Sequence, residues 1–168
     1  MEQTKIINKI DSVFLTKVFV LAGIIFFAPF LKNQMITGTL VNCILFMSVI
    51  LMGRNTALGL CVFPSIISLA TGLLPMAMAP VIPFIIISNM VLVLTFNFLR
   101  KNQYLAVILS ALFKFAFLFL TSSFIISTLK MQKVAVMFSY PQFFTALAGG
   151  VLAILILKII NNNKRYDI

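Results

Sequence analysis

Six runs of about twenty apolar residues, joined by a few polar ones, leave this chain one solvent to fold in. Roughly 20 helical residues cross a bilayer core, and runs of that length fall at 14–31, 35–52, 56–74, 80–99, 104–129 and 141–160. Only Lys32, Asn33 and Gln34 separate the first two, which leaves room for a tight hairpin or a re-entrant piece. Of the 168 residues 62% are hydrophobic and 10% are charged, where soluble domains are about 25% charged. Mean hydropathy is +1.15. A globule of this make-up lacks the polar surface to cover its core, and disordered chains are poor in apolar residues. The expectation is an all-α integral membrane protein. One transmembrane domain occupies 1–168, with six helices in a compact bundle and a short polar tail at 161–168.

Charge gives the orientation. There are 13 Lys and Arg against 3 acids, and the basic residues stand singly or in pairs at the ends of the apolar runs. The positive-inside rule and anionic headgroups put them there, so membrane lipid rather than nucleic acid is the expected partner of this charge. With the N-terminus inside, the inner face holds Lys5, Lys9, Lys17, Arg54, Arg100, Lys101, Lys158, Lys164 and Arg165. The outer face then holds Lys32, Lys130 and Lys133. Both termini are expected in the cytoplasm. The acids near the N-terminus and the lack of an A-x-A-like site speak against a cleaved leader. With no Trp, Tyr104 and Tyr140 are left to mark the interfaces.

Several chemistries are excluded or disfavoured. There is no His, hence no His-based metal centre or general base. Cys43 and Cys61 lie within apolar runs and read as small buried hydrophobes. No paired acids or phosphate-binding loop appear. No catalytic residue, metal or cofactor is expected.

Polar residues inside the membrane carry most of the information. Lys114 lies ten residues into the 104–129 run, roughly 15 Å from its end. An ionisable side chain at that depth costs about 2.5–3.5 kcal/mol on insertion scales and is by default functional; the alternative is a lysine that reaches an interface in a tilted helix or pairs structurally with carbonyls. Ser110, Lys114, Thr121 and Thr128 fall on one stripe of the helix. Depth arithmetic brings Asn42, Ser65, Ser68 and Asn89 to the level of Lys114, so four helices offer amides, hydroxyls and a cation to one place. The amides serve equally as interhelical glue. A cation without an acid suits an anionic ligand. Pro64 interrupts the third run, and Pro75, Pro80 and Pro83 shape the outer connection that follows. In the sixth run Ala146, Gly149, Gly150 and Ala153 make two small-xxx-small spacings, which serve internal packing or the docking of a partner.

Four fragments belong together: IxGTLVN at 36–42, FPSIISLATGLLP at 63–75, PFIIISN at 83–89 and LFKFAFLFL at 112–120. In these, over roughly 26–120, the chain resembles a small family of predicted substrate-binding S components of energy-coupling factor (ECF) transporters. The resemblance implies a compact six-helix protein of the bacterial cytoplasmic membrane. Such a protein binds a small solute on its outer side under closing outer loops, here near 75–80 and 130–142. It then docks on a transmembrane coupling subunit with a pair of cytoplasmic ATPases. Lys114 would hold an anionic group, and Asn42, Asn89, Ser65, Ser68 and Thr121 would orient the remainder. The first helix departs from the family's AxxxA docking pattern, since VLAGIIFFAPF spaces Ala22 and Ala28 differently. Docking would then fall to Gly23 and to Ala146, Gly149, Gly150 and Ala153. Two rival readings are a standalone carrier or channel and a non-transporting membrane scaffold.

Overall fold

The computed structural model describes residues 2–72, 76–129, 138 and 140–163. Within them the fold is all helical. The chain enters through α1 (Glu2–Phe27) and ends it in a 3-10 turn, Ala28–Leu31. Pro29 sits in the first turn of that 3-10 segment, where a missing N–H costs nothing. Lys32 then takes a left-handed backbone, φ 53°, and its N–H closes on the Pro29 carbonyl. Asn33 caps the next helix, its Oδ1 accepting from the N–H groups of Met35 at 3.0 Å and Ile36 at 3.2 Å. The joint is therefore a tight hairpin.

Helix α2 (Gln34–Met52) is the centre of the molecule. Nine successive residues, Val41 to Val49, are buried, so no face of that stretch reaches the surface. A helix apolar on all sides is one enclosed by neighbours. α1, α5 and above all the last helix pack around it. Phe46 of α2 meets Phe96 edge-on, with ring centroids 4.8 Å apart, at the heart of the core.

The third apolar run departs from expectation. It is not one helix over 56–74 but two short ones, α3 (Arg54–Leu60) and α4 (Phe63–Ala70), with a turn at Cys61 and Val62. A proline ring clashes with the carbonyl four residues before it and so kinks or breaks a helix that runs through it; here the helix breaks. The chain breaks upstream, and Pro64 falls in the first turn of α4, where it is tolerated. The pair still climbs the whole bundle. α3 starts beside the end of α2, and α4 packs against the 3-10 turn at the end of α1. Residues 73–75, and with them Pro75, lie outside the described residues.

A second 3-10 segment, Met76–Val81, contains Pro80 and leads into α5 (Ile82–Leu99), with Pro83 in its first turn. α6 (Gln103–Leu129) returns antiparallel to α5, and α7 (Tyr140–Asn163) completes the bundle against α2 and α6. The connection over 130–137 and 139, with Lys130 and Lys133, and the tail over 164–168, with Lys164 and Arg165, lie outside the described residues.

Five helical segments are long and apolar enough to cross a membrane: Ser12–Leu31, Gln34–Met52, Ala79–Leu99, Gln103–Ile125 and Tyr140–Asn162. The broken pair Arg54–Ala70 is shorter. The outer surface is as apolar as the core. Phe98 is 86% exposed, Leu120 72% and Phe19 71%. Soluble monomers rarely present such continuous apolar surface. Polar side chains meanwhile gather inside, the arrangement of a multi-pass membrane protein.

Candidate functional site

The site grows from one lysine. Lys114 lies at the middle of Gln103–Ile125 and is 3% exposed. Its Nζ donates to Asn42 Oδ1 at 2.7 Å and to Asn89 Oδ1 at 2.6 Å. Both amides are buried as well. Three helices, α2, α5 and α6, are thus tied through a single nitrogen. Asn42 is oriented by its other end, where Nδ2 donates to Thr145 Oγ1 of α7 at 3.4 Å. The Thr145 hydroxyl in turn donates to the Gln142 carbonyl at 3.2 Å. A flipped Asn42 amide would set N–H groups against the lysine, so this relay fixes which oxygen the lysine sees.

No Asp or Glu stands between Asp11 and Asp167. The spans therefore offer Lys114 amide dipoles and no carboxylate. An ammonium has three donors, and two of them go to the asparagines.

The lysine and both asparagines line a cavity of about 150 Å³. Pro64, Ser65 and Ser68 of α4 form its other wall, with Gln34, Thr37, Gly38 and Gln142 toward the helix ends. Pro64, in the first turn of α4, stands on this wall beside the two serines. The Ser68 hydroxyl donates to the Pro64 carbonyl at 2.7 Å. Two close approaches flank the cavity, one between α2 and α7 and one between α2 and the 3-10 turn that precedes it. A methyl on Gly38 would press on Thr145 at 3.1 Å. The Thr37 hydroxyl donates to the Ala28 carbonyl at 2.9 Å and pins the hairpin.

Of the expected binding residues, Lys114, Asn42, Asn89, Ser65 and Ser68 come together. Thr121 does not join them. Its hydroxyl donates back to the Phe117 carbonyl at 2.9 Å, and it is absent from the cavity wall. Ser110 likewise donates to the Ala106 carbonyl at 2.6 Å. The side chain of Thr128 lies outside the described residues. The polar stripe on α6 is thus one residue that reaches across to other helices and two whose hydroxyls bond back to their own. Thr145 and Gly38 escaped the sequence reading. Thr145 lies five residues into α7, at the depth of Asn42, and the same depth arithmetic applied to the sixth run finds it.

The expected docking residues on α7 need correction. Ala146 and Ala153 are buried. A methyl on Gly149 would lie 2.7 Å from the Thr39 carbonyl oxygen and 2.8 Å from the Cys43 nitrogen, and one on Gly150 would collide with Val107. These small residues let α7 lie against α2 and α6, so that face is already filled by the chain's own helices. Gly23 differs. A methyl there meets nothing within 4 Å, and the residue lines an open apolar cleft of about 400 Å³ with Phe19, Ile24 and Phe27.

Comparison with family models, curated proteins and solved structures gives no match.

Proposed function

We propose that this protein binds a small anionic solute within the membrane, as the substrate-specificity subunit of an ECF-type importer. One observation carries the reading: a buried lysine, held by two amide oxygens and facing no acid, on the wall of a cavity. An unneutralised cation at mid-membrane is costly, and a bound carboxylate or phosphate ester offsets that cost. The third N–H of the ammonium is available to such a group. Ser65, Ser68 and the two asparagines supply further polar contacts. A cavity of about 150 Å³ matches a ligand about the size of benzene, and one lysine suits one negative charge. Binding, not catalysis, is the role of this site, because the groups around the lysine are amides and hydroxyls in hydrogen bonds rather than an acid–base pair.

The orientation belongs to the same reading. The cavity opens toward the end of the bundle that holds Lys32, and the opposite end holds Arg54, Arg100, Lys101 and Lys158. The positive-inside rule turns the cavity outward and sets both termini in the cytoplasm of a bacterial cell. The chain has no nucleotide-binding loop, so energy comes from a coupling subunit and two ATPases. With the α7 face filled, the apolar cleft at Gly23 is the docking surface this reading assigns to the coupling subunit.

The test is purification from native membranes in mild detergent, with mass spectrometry of both protein partners and extracted small molecules. The expected result is a coupling subunit with two ATPases, and a small anion lost at least tenfold in Lys114→Gln. Recovery of the chain alone after gentle crosslinking, or an unchanged small-molecule profile in a folded Lys114→Gln, overturns the reading.

A further inference from the structure

A second cleft lies at the opposite end of the bundle from the cavity. It has a volume of about 390 Å³ and is set between the last turns of α2 and α7 and the start of α6. Its depth is apolar, walled by Ile50, Leu51, Ile154 and Leu157, and its rim carries Gln103, Lys158 and Asn161. The Lys158 ammonium is held at this rim by the Tyr104 hydroxyl, 3.0 Å away. Arg100 and Lys101 stand in the turn just before Gln103, and Arg54 opens α3 just beyond the end of α2. No acid is near in sequence on any of these segments.

We propose that this cleft is a binding site for an anionic phospholipid, with an acyl-chain segment in the apolar depth and the phosphate on Lys158, Gln103 and Asn161. The occupant is fixed by the division of the cleft. A soluble anion would leave the apolar walls uncovered, and a neutral lipid would leave the ammonium without a counter-charge among the described residues. A molecule with a hydrocarbon tail and a net negative headgroup matches both halves. Basic pockets between helices at the cytoplasmic surface are suited to such headgroups, and a charge-assisted bond from lysine to phosphate is among the stronger hydrogen bonds. Tyr104 restricts the otherwise mobile lysine and leaves two of its three donors for the phosphate. The site is separate from the solute cavity and takes from the importer reading only the orientation of the chain.

The chain contains no Trp, so a single introduced Trp is a clean reporter. Ile160, at the cleft and 40% exposed, accommodates Ile160→Trp. The full chain carrying this reporter is placed in phosphatidylcholine nanodiscs containing rising fractions of acyl-brominated phosphatidylglycerol or acyl-brominated phosphatidylcholine. Half-quenching is expected at a mole fraction at least fivefold lower for the anionic lipid. Adding Lys158→Gln is expected to erase that difference. A control reporter, Leu120→Trp, stands on the exposed face of α6 away from the cleft and is expected to show none. The proposal is overturned if both lipids quench Ile160→Trp equally, if the preference survives Lys158→Gln, or if Leu120→Trp shows it too. Relief of quenching by soluble glycerol phosphate would reassign the site to a free phosphate ester.

Discussion

At the scale of single residues, the asparagines and the lysine behave differently from the hydroxyls, and chemistry explains why. A Ser or Thr in a helix can give its proton to the carbonyl one turn back, as Ser110 and Thr121 do. Depth therefore brings some hydroxyls to the cavity, as with Ser65 and Ser68, but helical phase alone does not tell which hydroxyls bond back to their own helix instead. A lysine or a primary amide at mid-membrane has to find partners on other helices, so Lys114, Asn42 and Asn89 were legible from depth alone. Thr121 was not, because its local bond leaves no trace in the sequence. The same distinction makes a test. Asn89→Asp gives Lys114 a carboxylate at the place of the present amide oxygen, 2.6 Å away. The variant is expected to fold as well as the parent by thermal unfolding in detergent, and to retain at least tenfold less anionic solute. Full retention would show that the net charge of the site is not what selects its ligand. Asn89→Leu, in contrast, removes an acceptor from a buried donor and is expected to destabilise the fold by about 1–3 kcal/mol.

At the scale of elements, the apolar runs reported length and position well and continuity poorly. Five runs became helical segments long and apolar enough to cross a membrane, close to their expected bounds. The third was split near Pro64, a break that hydropathy does not register. The small residues of α7 were legible as a close-packing surface, but their partner was not. A small-xxx-small spacing states that something comes near without stating whether it belongs to the same chain. The structure supplies neighbours of two kinds, mainly backbone, with the Asn42 Cβ, at Gly149 and a side chain alone at Gly150. Both Gly149→Ala and Gly150→Ala are expected to destabilise, by about 1–3 kcal/mol each as overpacking does. The second is expected to be largely rescued by Val107→Ala, which removes the methyl groups in its way. The first has no such rescue, since Thr39 and Cys43 meet it with main-chain atoms. Equal response of both variants to Val107→Ala, in thermal unfolding of the double mutants, would contradict this assignment.

At the scale of the whole molecule, six passages along the bundle bring the start of α1 and the end of α7 to the same end, with α3 and α4 together counting as one passage. The native thiols are 3% and 0% exposed, so they form a silent background for labelling. A membrane-impermeant maleimide on intact cells is expected to react with Lys32→Cys and not with Lys101→Cys. The reverse pattern would invert the orientation and put the cavity on the cytoplasmic side. The two ends were legible from the basic residues, but the height of the broken third passage was not, since 17 residues with a bend could equally have formed a re-entrant loop. The position of Lys114 has a last, electrical consequence. Moving one charge through a full membrane potential involves about 2.3 kcal/mol per 100 mV, and Lys114 lies midway along its span. Under the proposed orientation and function, a monovalent anion entering the cavity would work against about half of an inside-negative potential. An energised membrane would then weaken capture of that solute by roughly 1 kcal/mol per 100 mV, a field against which the lysine would have to hold it.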